Sequence, residues 1–192
     1  MGKSDRERWN KKFKEKEFVL GKEANLFLRR HVHLLPRGKA LDIATGEGRN
    51  AVYLARHGFD VDAVDISKIA LSKAKILAGE NRVKVRFLLA DLDTYPIEKG
   101  RYDLISDFYF LDRRLIPRIK KGVKKGGRVI FETYLAEPRS LRTEDPSNPA
   151  YLLRPNELLR LFKEFRILFY REGIFKERGE RKAIASLIGE KI

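Results

Sequence analysis

Short apolar segments alternate with amphipathic segments along the middle of this chain, and this alternation constrains the fold more than any other feature. The apolar segments have the composition of strands, and the segments between them have the periodicity of helices. The predicted strands are residues 40–44, 61–64, 83–89, 102–106 and 128–134, and the predicted helices are residues 50–57, 69–78 and 113–123. Strands and helices in this order form βαβ units. The sequence therefore predicts an α/β protein with a doubly wound, mostly parallel sheet.

The segments before the first strand and after the fifth do not follow this alternation. Residues 5–17 and 22–34 have the pattern of helices, and their aromatic side chains need an apolar surface to cover. Residues 136–155 contain four prolines, which predicts a long loop. Since a parallel sheet binds ligands beyond the carboxyl ends of its strands, we expect this loop and residues 1–36 to form a lid over the ligand site.

The last part of the chain predicts a helix at residues 156–162 and two strands at residues 166–170 and 183–188. The charged residues 172–181 between these strands have turn character, so the two strands predict an antiparallel hairpin at the end of the sheet. With no linker or repeat in the sequence, we expect a single domain over residues 1–192.

The chain carries a net charge of +15, but its central part is neutral. Residues 1–39 and 100–192 carry net charges of +7 and +8, while residues 40–99 carry equal numbers of acidic and basic side chains. A strongly basic surface attracts nucleic acids. Because the excess positive charge avoids the part of the chain that predicts a ligand site, a nucleic-acid partner is an alternative and not the favoured interpretation.

Composition excludes several classes of protein. A chain with no cysteine has no disulfide, no thiolate zinc site and no cysteine nucleophile. No apolar run approaches the ~20 residues of a membrane span, and the charged N-terminus lacks a secretory pattern, so we expect a cytoplasmic protein with no membrane partner. The absence of glutamine, the single methionine and the 36% of charged residues are typical of thermophilic proteins.

A glycine-rich turn joins the first predicted strand of the alternation to the helix after it. Gly46 and Gly48 let the backbone turn tightly and approach a ligand. In one interpretation, these glycines and Ala51 form a dinucleotide-binding fingerprint. In the other, Asp42 before the two glycines makes the turn similar to the first motif of class I S-adenosylmethionine-dependent methyltransferases. A pyrophosphate would be repelled by Asp42, whereas the ammonium and sulfonium of S-adenosylmethionine would be attracted, which favours the second interpretation.

Acidic residues also end the second and third predicted strands. A carboxylate at Asp65 can accept hydrogen bonds from both hydroxyls of a ribose, and Asp91 can accept one from an adenine amino group. Ligands of such sheets bind beyond the carboxyl ends of the strands, so these segments converge on one crevice. The residues that we expect to bind the cofactor are Asp42, Ala44, Thr45, Gly46, Gly48, Arg49, Asn50, Asp65, Ile66, Asp91, Leu92, Ser106 and Asp107.

On these motifs, the chain resembles the tellurite-resistance-like branch of the class I methyltransferases. The similarity includes residues 46–51, residues 64–67 and the glycine pair at residues 126–127. It implies a Rossmann-like, seven-stranded sheet with a reversed last strand, and S-adenosylmethionine as the cofactor. The sequence departs from the family at Ala44 and Thr45, where Gly-Cys or Ala-Cys is usual. Ala44 fits such a turn if its φ is negative.

The resemblance implies a methyltransferase, and the favoured acceptor is a small molecule. The net charge supports RNA or protein as an alternative acceptor, and the glycine fingerprint supports an NAD(P)-dependent oxidoreductase as an alternative enzyme. Methyl transfer from a sulfonium depends on proximity, and no side chain is identifiable as a catalytic base. Arg49, Asp107, Tyr109 and Tyr134 are candidates for lining the site. No group of His, Asp and Glu has metal-ligand spacing, so we expect no metal.

Overall fold

The structure is a computed structural model that describes residues 2–136, 148–177 and 179–192. The strands are β1 (Lys39–Ile43), β2 (Asp60–Asp65), β3 (Arg86–Leu89), β4 (Tyr102–Phe108), β5 (Val123–Tyr134), β6 (Phe165–Glu177) and β7 (Glu180–Lys191). The helices are α1 (Lys3–Lys12), α2 (Leu26–His31), α3 (Arg49–Arg56), α4 (Lys68–Glu80), α5 (Ile116–Gly122) and α6 (Glu157–Leu161), with 3₁₀ turns at Val32–Leu34 and Pro149–Tyr151. Across these described ranges, no helix is long and apolar enough to cross a membrane.

The described strands form one sheet of seven in the order β3-β2-β1-β4-β5-β7-β6. β1 to β5 run parallel, and β7 and β6 add an antiparallel hairpin at one end. β1 lies inside the sheet between β2 and β4, and its residues Leu41 and Ile43 are at most 1% exposed. A strand so buried needs helices on both faces of the sheet. The predicted doubly wound sheet with a C-terminal hairpin is confirmed.

Helices cover both faces of the sheet and form two main apolar cores. Phe27 of α2 and Leu54 of α3 belong to the core on one face. Ile116 of α5 and Leu158 of α6 belong to the core on the other. Each fully buried side chain of this size stabilises the fold by about 1.5–3 kcal/mol. Because the strand order reverses between β1 and β4, a crevice opens beyond the carboxyl ends of these strands.

The turn from β1 to α3 needs a glycine at position 48. Gly48 has a φ of +82°, and a Cβ on it would lie 2.6 Å from the Cβ of Ala74 in α4. A side chain would therefore push α3 and α4 apart and strain the backbone as well. The close approach of these two helices explains the second glycine of the motif.

The helices before β1 are shorter than the predicted ones at residues 5–17 and 22–34. α1 ends at Lys12, because Phe13 turns inward and is buried. α2 begins only after Asn25, whose Oδ1 accepts a hydrogen bond from the backbone N–H of Phe27 at 2.7 Å. The cap fixes the start of this helix. The predicted boundaries are wrong, although both helices exist.

Two further boundaries differ around the fifth strand. The helix predicted at residues 113–123 begins later, because the carboxylate of Asp112 accepts a hydrogen bond from the backbone N–H of Arg114 at 3.0 Å and makes a turn. β5 begins at Val123, five residues before the predicted strand at residues 128–134. The glycine pair at residues 126–127 therefore lies within the strand.

Most of the turn predicted at residues 172–181 is strand. β6 and β7 remain paired as far as Glu177 and Glu180. Ile174 and Phe175 lie in this extension, and β-branched and aromatic residues favour the pleated conformation although charged residues surround them. The charge of the segment gave a wrong prediction, and the hairpin is longer than expected.

The predicted lid loop at residues 136–155 is described only in part, since residues 137–147 lie outside the described residues. The end of the connection returns to β5. The backbone N–H of Ala136 donates to the carbonyl oxygen of Leu153 at 2.8 Å, and the N–H of Leu153 donates to the carbonyl oxygen of Tyr134 at the same distance. The two ends of the connection therefore meet at the carboxyl end of β5.

Arg113 fixes the same returning segment. Its guanidinium donates to the carbonyl oxygens of Ala150 at 2.7 Å and Leu152 at 2.9 Å. It also forms an ion pair with Glu157 at 2.6 Å. The described end of the connection is therefore held by side-chain and backbone hydrogen bonds together.

Candidate functional site

Three carboxyls from three neighbouring strands lie buried at the carboxyl ends of β1, β2 and β4, which we call the carboxyl edge. Asp42 lies near the end of β1, Asp65 ends β2, and Asp107 lies near the end of β4. All three are at most 6% exposed. In the parallel register Asp42 pairs with Ser106 and Ile43 pairs with Asp107. The strand ends converge as the sequence predicts.

Asp42 holds the glycine-rich turn through both oxygens of its carboxyl group. Oδ2 accepts a hydrogen bond from Thr45 Oγ1 at 2.5 Å, and Oδ1 accepts one from Ser106 Oγ at 2.7 Å. Burial raises the pKa of Asp42 to about 6, although the two hydroxyl groups lower it. Asp42 therefore ties β1 to β4 and to the turn, a structural role that the sequence did not reveal.

Asp65 joins the end of β2 to the same turn. Its Oδ2 accepts a hydrogen bond from the backbone N–H of Gly46 at 2.7 Å, and its Oδ1 accepts one from that of Ser67 at 2.8 Å. Burial raises the pKa of Asp65, and the backbone N–H groups oppose this rise. Each oxygen keeps a lone pair, so the carboxylate can still accept hydrogen bonds from a ligand.

Asp107 differs from the other two carboxyls because one of its oxygens has no partner. Among the buried side-chain atoms that the structure describes, Asp107 Oδ1 alone lacks a hydrogen bond. Burial raises the pKa of Asp107 well above its usual value, the negative charge of Asp42 raises it further, and the backbone N–H of Phe110 opposes the rise. A buried acceptor without a donor costs about 1–3 kcal/mol, so this atom needs an explanation.

Ala44 adopts a strained backbone conformation in the turn. Its φ is +48°, so the condition under which the turn would accept an alanine without strain is not met. The neighbouring residue holds this conformation, since the backbone N–H of Thr45 donates to the carbonyl oxygen of Val64 at 3.0 Å while its side chain bonds to Asp42. Strained residues that persist in this way are often found at functional sites.

Two predicted residues at the start of α3 contact the N-terminal part of the chain. Arg49 donates to the carbonyl oxygen of Leu20 at 2.7 Å. Asn50 Oδ1 accepts a hydrogen bond from the backbone N–H of Asn25 at 2.9 Å. The structure therefore shows these side chains holding the residues before β1 against the site.

The predicted residues after β2 and β3 form the other end of the crevice. Ile66 and Leu92 are buried beside this edge, at 4% and 3% exposure. Asp91 Oδ1 accepts a hydrogen bond from the backbone N–H of Asp93 at 2.9 Å, which makes a turn directly after β3. The carbonyl oxygen of Asp65 accepts one from the N–H of Ala90 at 3.1 Å. These contacts place the two strand ends side by side.

Residues 9–20, which we call the N-terminal cover, lie across the glycine-rich turn. Glu47, between the two turn glycines, is fully buried and accepts hydrogen bonds from the backbone N–H groups of Val19 at 3.2 Å and Leu20 at 2.9 Å. Lys73 of α4 forms an ion pair with it at 2.8 Å. Sequence analysis missed Glu47, although its position inside the motif was an available signal.

Aromatic and polar side chains of α1 and its end also belong to the cover. Phe13 is buried, and its ring is 3.5 Å from the position that a Cβ on Gly46 would take. Trp9 stacks on Phe13 with 5.9 Å between ring centroids. Asn10 Oδ1 accepts a hydrogen bond from Ser67 Oγ at 2.8 Å. The apolar surface that these aromatics were expected to need is the turn itself.

On the other side of β4, a buried glutamate of β5 is the centre of a hydrogen-bond network that sequence analysis missed. Glu132 is fully buried. Its Oε1 accepts hydrogen bonds from Asn25 Nδ2 at 2.8 Å and Tyr109 Oη at 3.0 Å, and its Oε2 accepts them from Ser186 Oγ at 2.6 Å and Arg171 at 3.2 Å. The donors come from distant parts of the sequence, so no local pattern could reveal this network.

Tyr109 and Tyr134, which the sequence suggested as lining residues, lie together at the ends of β4 and β5. Their ring centroids are 4.8 Å apart, and Tyr109 has a φ of +60°. Asp107 precedes Tyr109 by two residues, so the crevice extends from β1 across β4 towards β5. In the part of the chain that the structure describes, no group of three or more His, Cys, Asp and Glu residues could hold a metal ion.

Comparison with known proteins agrees with this geometry. A family model described as a methyltransferase domain matches residues 40–127. The probable S-adenosyl-L-methionine-dependent methyltransferase TehB of Haemophilus influenzae is 28% identical over 142 residues, which are 71% of this chain and 49% of that protein. The ribosomal protein L11 methyltransferase of Thermus thermophilus is 32% identical over 114 residues, which are 58% of this chain and 44% of that protein. The chain spans about half the length of these curated relatives.

A solved structure extends the similarity to almost the whole chain. The crystal structure of TehB from Haemophilus influenzae matches with a TM-score of 0.75 at 18% identity, covering 97% of this chain and 67% of that one. At this identity the match shows the fold. The resemblance inferred from the motifs is therefore confirmed for the fold, and residues 40–127 match a methyltransferase domain.

Proposed function

We propose that this chain is a class I S-adenosylmethionine-dependent methyltransferase and that it transfers a methyl group from S-adenosylmethionine to a small-molecule acceptor. The observation that carries the proposal is the set of three buried carboxyls at the carboxyl edge. Carboxyls at this edge ionise readily beside a cationic cofactor, and in their ionised form they repel a pyrophosphate. The same charge argues against the alternative of an NAD(P)-dependent oxidoreductase.

The residues at the carboxyl edge fit S-adenosylmethionine. Asp65 keeps lone pairs for the ribose hydroxyls, and Asp91 and Leu92 lie after β3, where we place the adenine. When bound, the cofactor supplies a methyl group that its sulfonium makes electrophilic. The residues that we propose to bind it are Asp42, Ala44, Thr45, Gly46, Gly48, Arg49, Asn50, Asp65, Ile66, Asp91, Leu92, Ser106 and Asp107.

The N-terminal cover keeps water away from the site in this proposal. It is fixed to the turn by Glu47 and to the start of α4 by Asn10. Exclusion of water strengthens the electrostatic attraction between the carboxyls and a cationic cofactor. We place the connection at residues 136–155 over the acceptor, because its ends leave and rejoin the sheet beside Tyr134.

A small acceptor is favoured because the N-terminal cover lies on the glycine-rich turn, where Phe13 and Leu20 approach Gly46. RNA or protein is the alternative, since the net charge is +15 and one relative is named a ribosomal protein methyltransferase. The test is incubation with methyl-labelled S-adenosylmethionine and a cell extract separated into metabolites, RNA and protein. Label in the metabolite fraction is expected. Label that is removed by nuclease or protease would overturn the small-molecule proposal.

The cofactor has its own test, which needs no acceptor. S-adenosylhomocysteine at a hundred times its Kd should stabilise the protein by about 3 kcal/mol, because it binds only the folded state. Thermal unfolding with NAD and NADP at the same concentration is the control, and neither should shift the midpoint. Stabilisation by a dinucleotide alone would replace the methyltransferase with the oxidoreductase.

We further propose a cytoplasmic, heat-adapted protein that folds as a single domain over residues 1–192. The described strands share one continuous sheet, and the chain is rich in charged residues and lacks cysteine. One cooperative unfolding transition is expected by calorimetry.

A further inference from the structure

Among the buried side-chain N and O atoms of the described residues, Oδ1 of Asp107 is the one without a hydrogen-bond partner. Asp107 is 2% exposed, so this oxygen lies away from the surface of the protein. None of the ion pairs among the described residues includes Asp107. Such an atom is costly for an apo protein and is useful when a ligand supplies the donor.

The charged groups around Asp107 do not neutralise it. Asp42 of β1 and Asp112, which follows β4, both act on it with negative charge. The backbone N–H of Phe110 provides a neutral donor. Of the cations near the turn, Arg49 donates to a carbonyl oxygen of the cover and its charge lowers the pKa of Asp42, while Lys73 pairs with Glu47.

The position of Asp107 in the sheet lies between the two halves of the crevice. It pairs with Ile43, the last residue of β1 before the glycine-rich turn, and with Phe131 of β5. Asp65, the proposed ribose partner, lies on the far side of β1, about 10 Å away at two strand spacings. A cofactor that extends from β3 across β2 and β1 would therefore bring its methionine end towards Asp107.

We propose that Asp107 is the counter-charge for the cationic methionine end of S-adenosylmethionine. This inference rests on the proposed function and adds a residue role to it. A sulfonium or an ammonium beside Oδ1 would compensate the buried charge, and an ammonium would also donate the missing hydrogen bond. Asp42 is less in need of a ligand cation, because hydroxyl groups already donate to both of its oxygens, whereas Oδ1 of Asp107 has no donor.

Proton release provides a signature of this role. Without a cation, burial and the charge of Asp42 raise the pKa of Asp107. A bound cation lowers that pKa, and the proton leaves to the buffer. Binding of S-adenosylmethionine at neutral pH should therefore release protons.

Calorimetric titration with three ligands tests the proposal. S-adenosylmethionine has a sulfonium and an ammonium, S-adenosylhomocysteine has only the ammonium, and methylthioadenosine has neither. Asp107→Asn should weaken the binding of S-adenosylmethionine about 10- to 100-fold and leave the affinity for methylthioadenosine unchanged. Equal loss for S-adenosylhomocysteine would identify the ammonium as the partner, and loss for S-adenosylmethionine alone would identify the sulfonium. Either result supports the counter-charge.

The control is Asp60→Asn, the same change at an exposed residue at the start of β2. It should leave all three affinities as they are. Titration in two buffers of different ionisation enthalpy should show proton release in the wild type and less in Asp107→Asn. Unchanged affinity for S-adenosylmethionine in folded Asp107→Asn would overturn the counter-charge. Failure of the wild type to bind any of the three ligands would overturn the proposed function instead.

Discussion

Ala44 has a backbone conformation that suits glycine better than alanine. Its φ of +48° costs a residue with a Cβ about 1–2 kcal/mol. The hydrogen bonds of Thr45 on either side keep the turn in this shape. Strain at this residue is therefore part of the site, and the usual glycine of the family would remove it.

We predict that Ala44→Gly raises the free energy of unfolding by about 0.5–1 kcal/mol. Relief of the left-handed strain outweighs the extra entropy that glycine gives the unfolded chain. Urea unfolding measures the change. The matched control is Ala51→Gly in α3, where the same substitution should destabilise the protein by about 1 kcal/mol. A lower stability of Ala44→Gly would mean that the turn is not strained.

The buried carboxyls predict an unusual dependence of stability on pH. An acid whose pKa is raised in the folded state destabilises that state as pH rises from the unfolded pKa to the folded one. For Asp42 this window runs from 3.8 to about 6, and Asp107 is shifted in the same direction. These groups make the ligand-free protein less stable at pH 8 than at pH 5.

Asp107→Asn should therefore stabilise the ligand-free protein at pH 8 by about 1–3 kcal/mol and have a smaller effect at pH 5. Denaturant unfolding of both proteins at the two pH values measures the difference. Equal effects at both pH values would show that Asp107 titrates normally. The variant expected to bind the cofactor less tightly should thus be the more stable one. This trade-off is common at residues whose role is functional.

At the scale of elements, one buried glutamate attaches the N-terminal cover to the turn. Glu47 accepts hydrogen bonds from two backbone N–H groups of the cover and forms an ion pair with Lys73 of α4. Buried hydrogen bonds to a charged group stabilise more than neutral ones do. The cover is therefore fixed mainly by one side chain, and its stability can be changed without altering the sheet.

Glu47→Gln should loosen the cover. The amide removes the charge that Lys73 needs, and we expect a loss of about 1–3 kcal/mol in local stability. Hydrogen exchange at the amides of Val19 and Leu20 should accelerate about 5- to 100-fold, while β1 amides stay protected. Glu80→Gln is the control, since its pair with Lys22 is half-exposed and contributes little. Unchanged exchange at Val19 and Leu20 would show that Glu47 does not hold the cover.

The elements also show what the sequence could and could not predict. The alternation of strands and helices predicted the sheet, because periodicity depends only on near neighbours. The acids at the strand ends were predicted for the same reason. Glu132 was missed because its four donors come from distant segments. The length of the β6–β7 hairpin was missed because pairing across strands outweighed the local charge.

Across the whole molecule, buried acids have different partners at the amino ends and at the carboxyl ends of the strands. Near the amino ends of the strands, Asp62 is fully buried and forms ion pairs with Lys39 at 2.9 Å and Arg86 at 2.5 Å. Burial raises the pKa of Asp62, but hydrogen bonds from Arg86 and Lys39 outweigh this and hold it below its usual value. This edge stabilises the fold, whereas the carboxyl edge carries acids suited to a ligand.

Ion-pair networks of this kind favour stability at high temperature. We predict a Tm above the range of about 45–65 °C in which the Tm values of mesophile domains cluster. Calorimetry of the ligand-free protein measures it. Asp62→Asn should lower the Tm at pH 7, because the cations lose their buried partner, and the difference should shrink as pH falls below about 4. A Tm within the mesophile range would overturn the proposed heat adaptation.

The hydrogen bonds at Leu153 join the two ends of the connection between residues 136 and 148. Since these ends are tied to each other at β5 and Arg113 holds the returning end, we expect a change in the length of the connection to cost mainly loop-closure entropy, about 0.6 kcal/mol for a doubling. Replacing residues 137–147 with the corresponding segment of a relative should keep the Tm within a few degrees, as thermal unfolding can verify. If the connection covers the acceptor, as we propose, exchange of this segment would change the acceptor while the cofactor-binding end of the sheet stays the same.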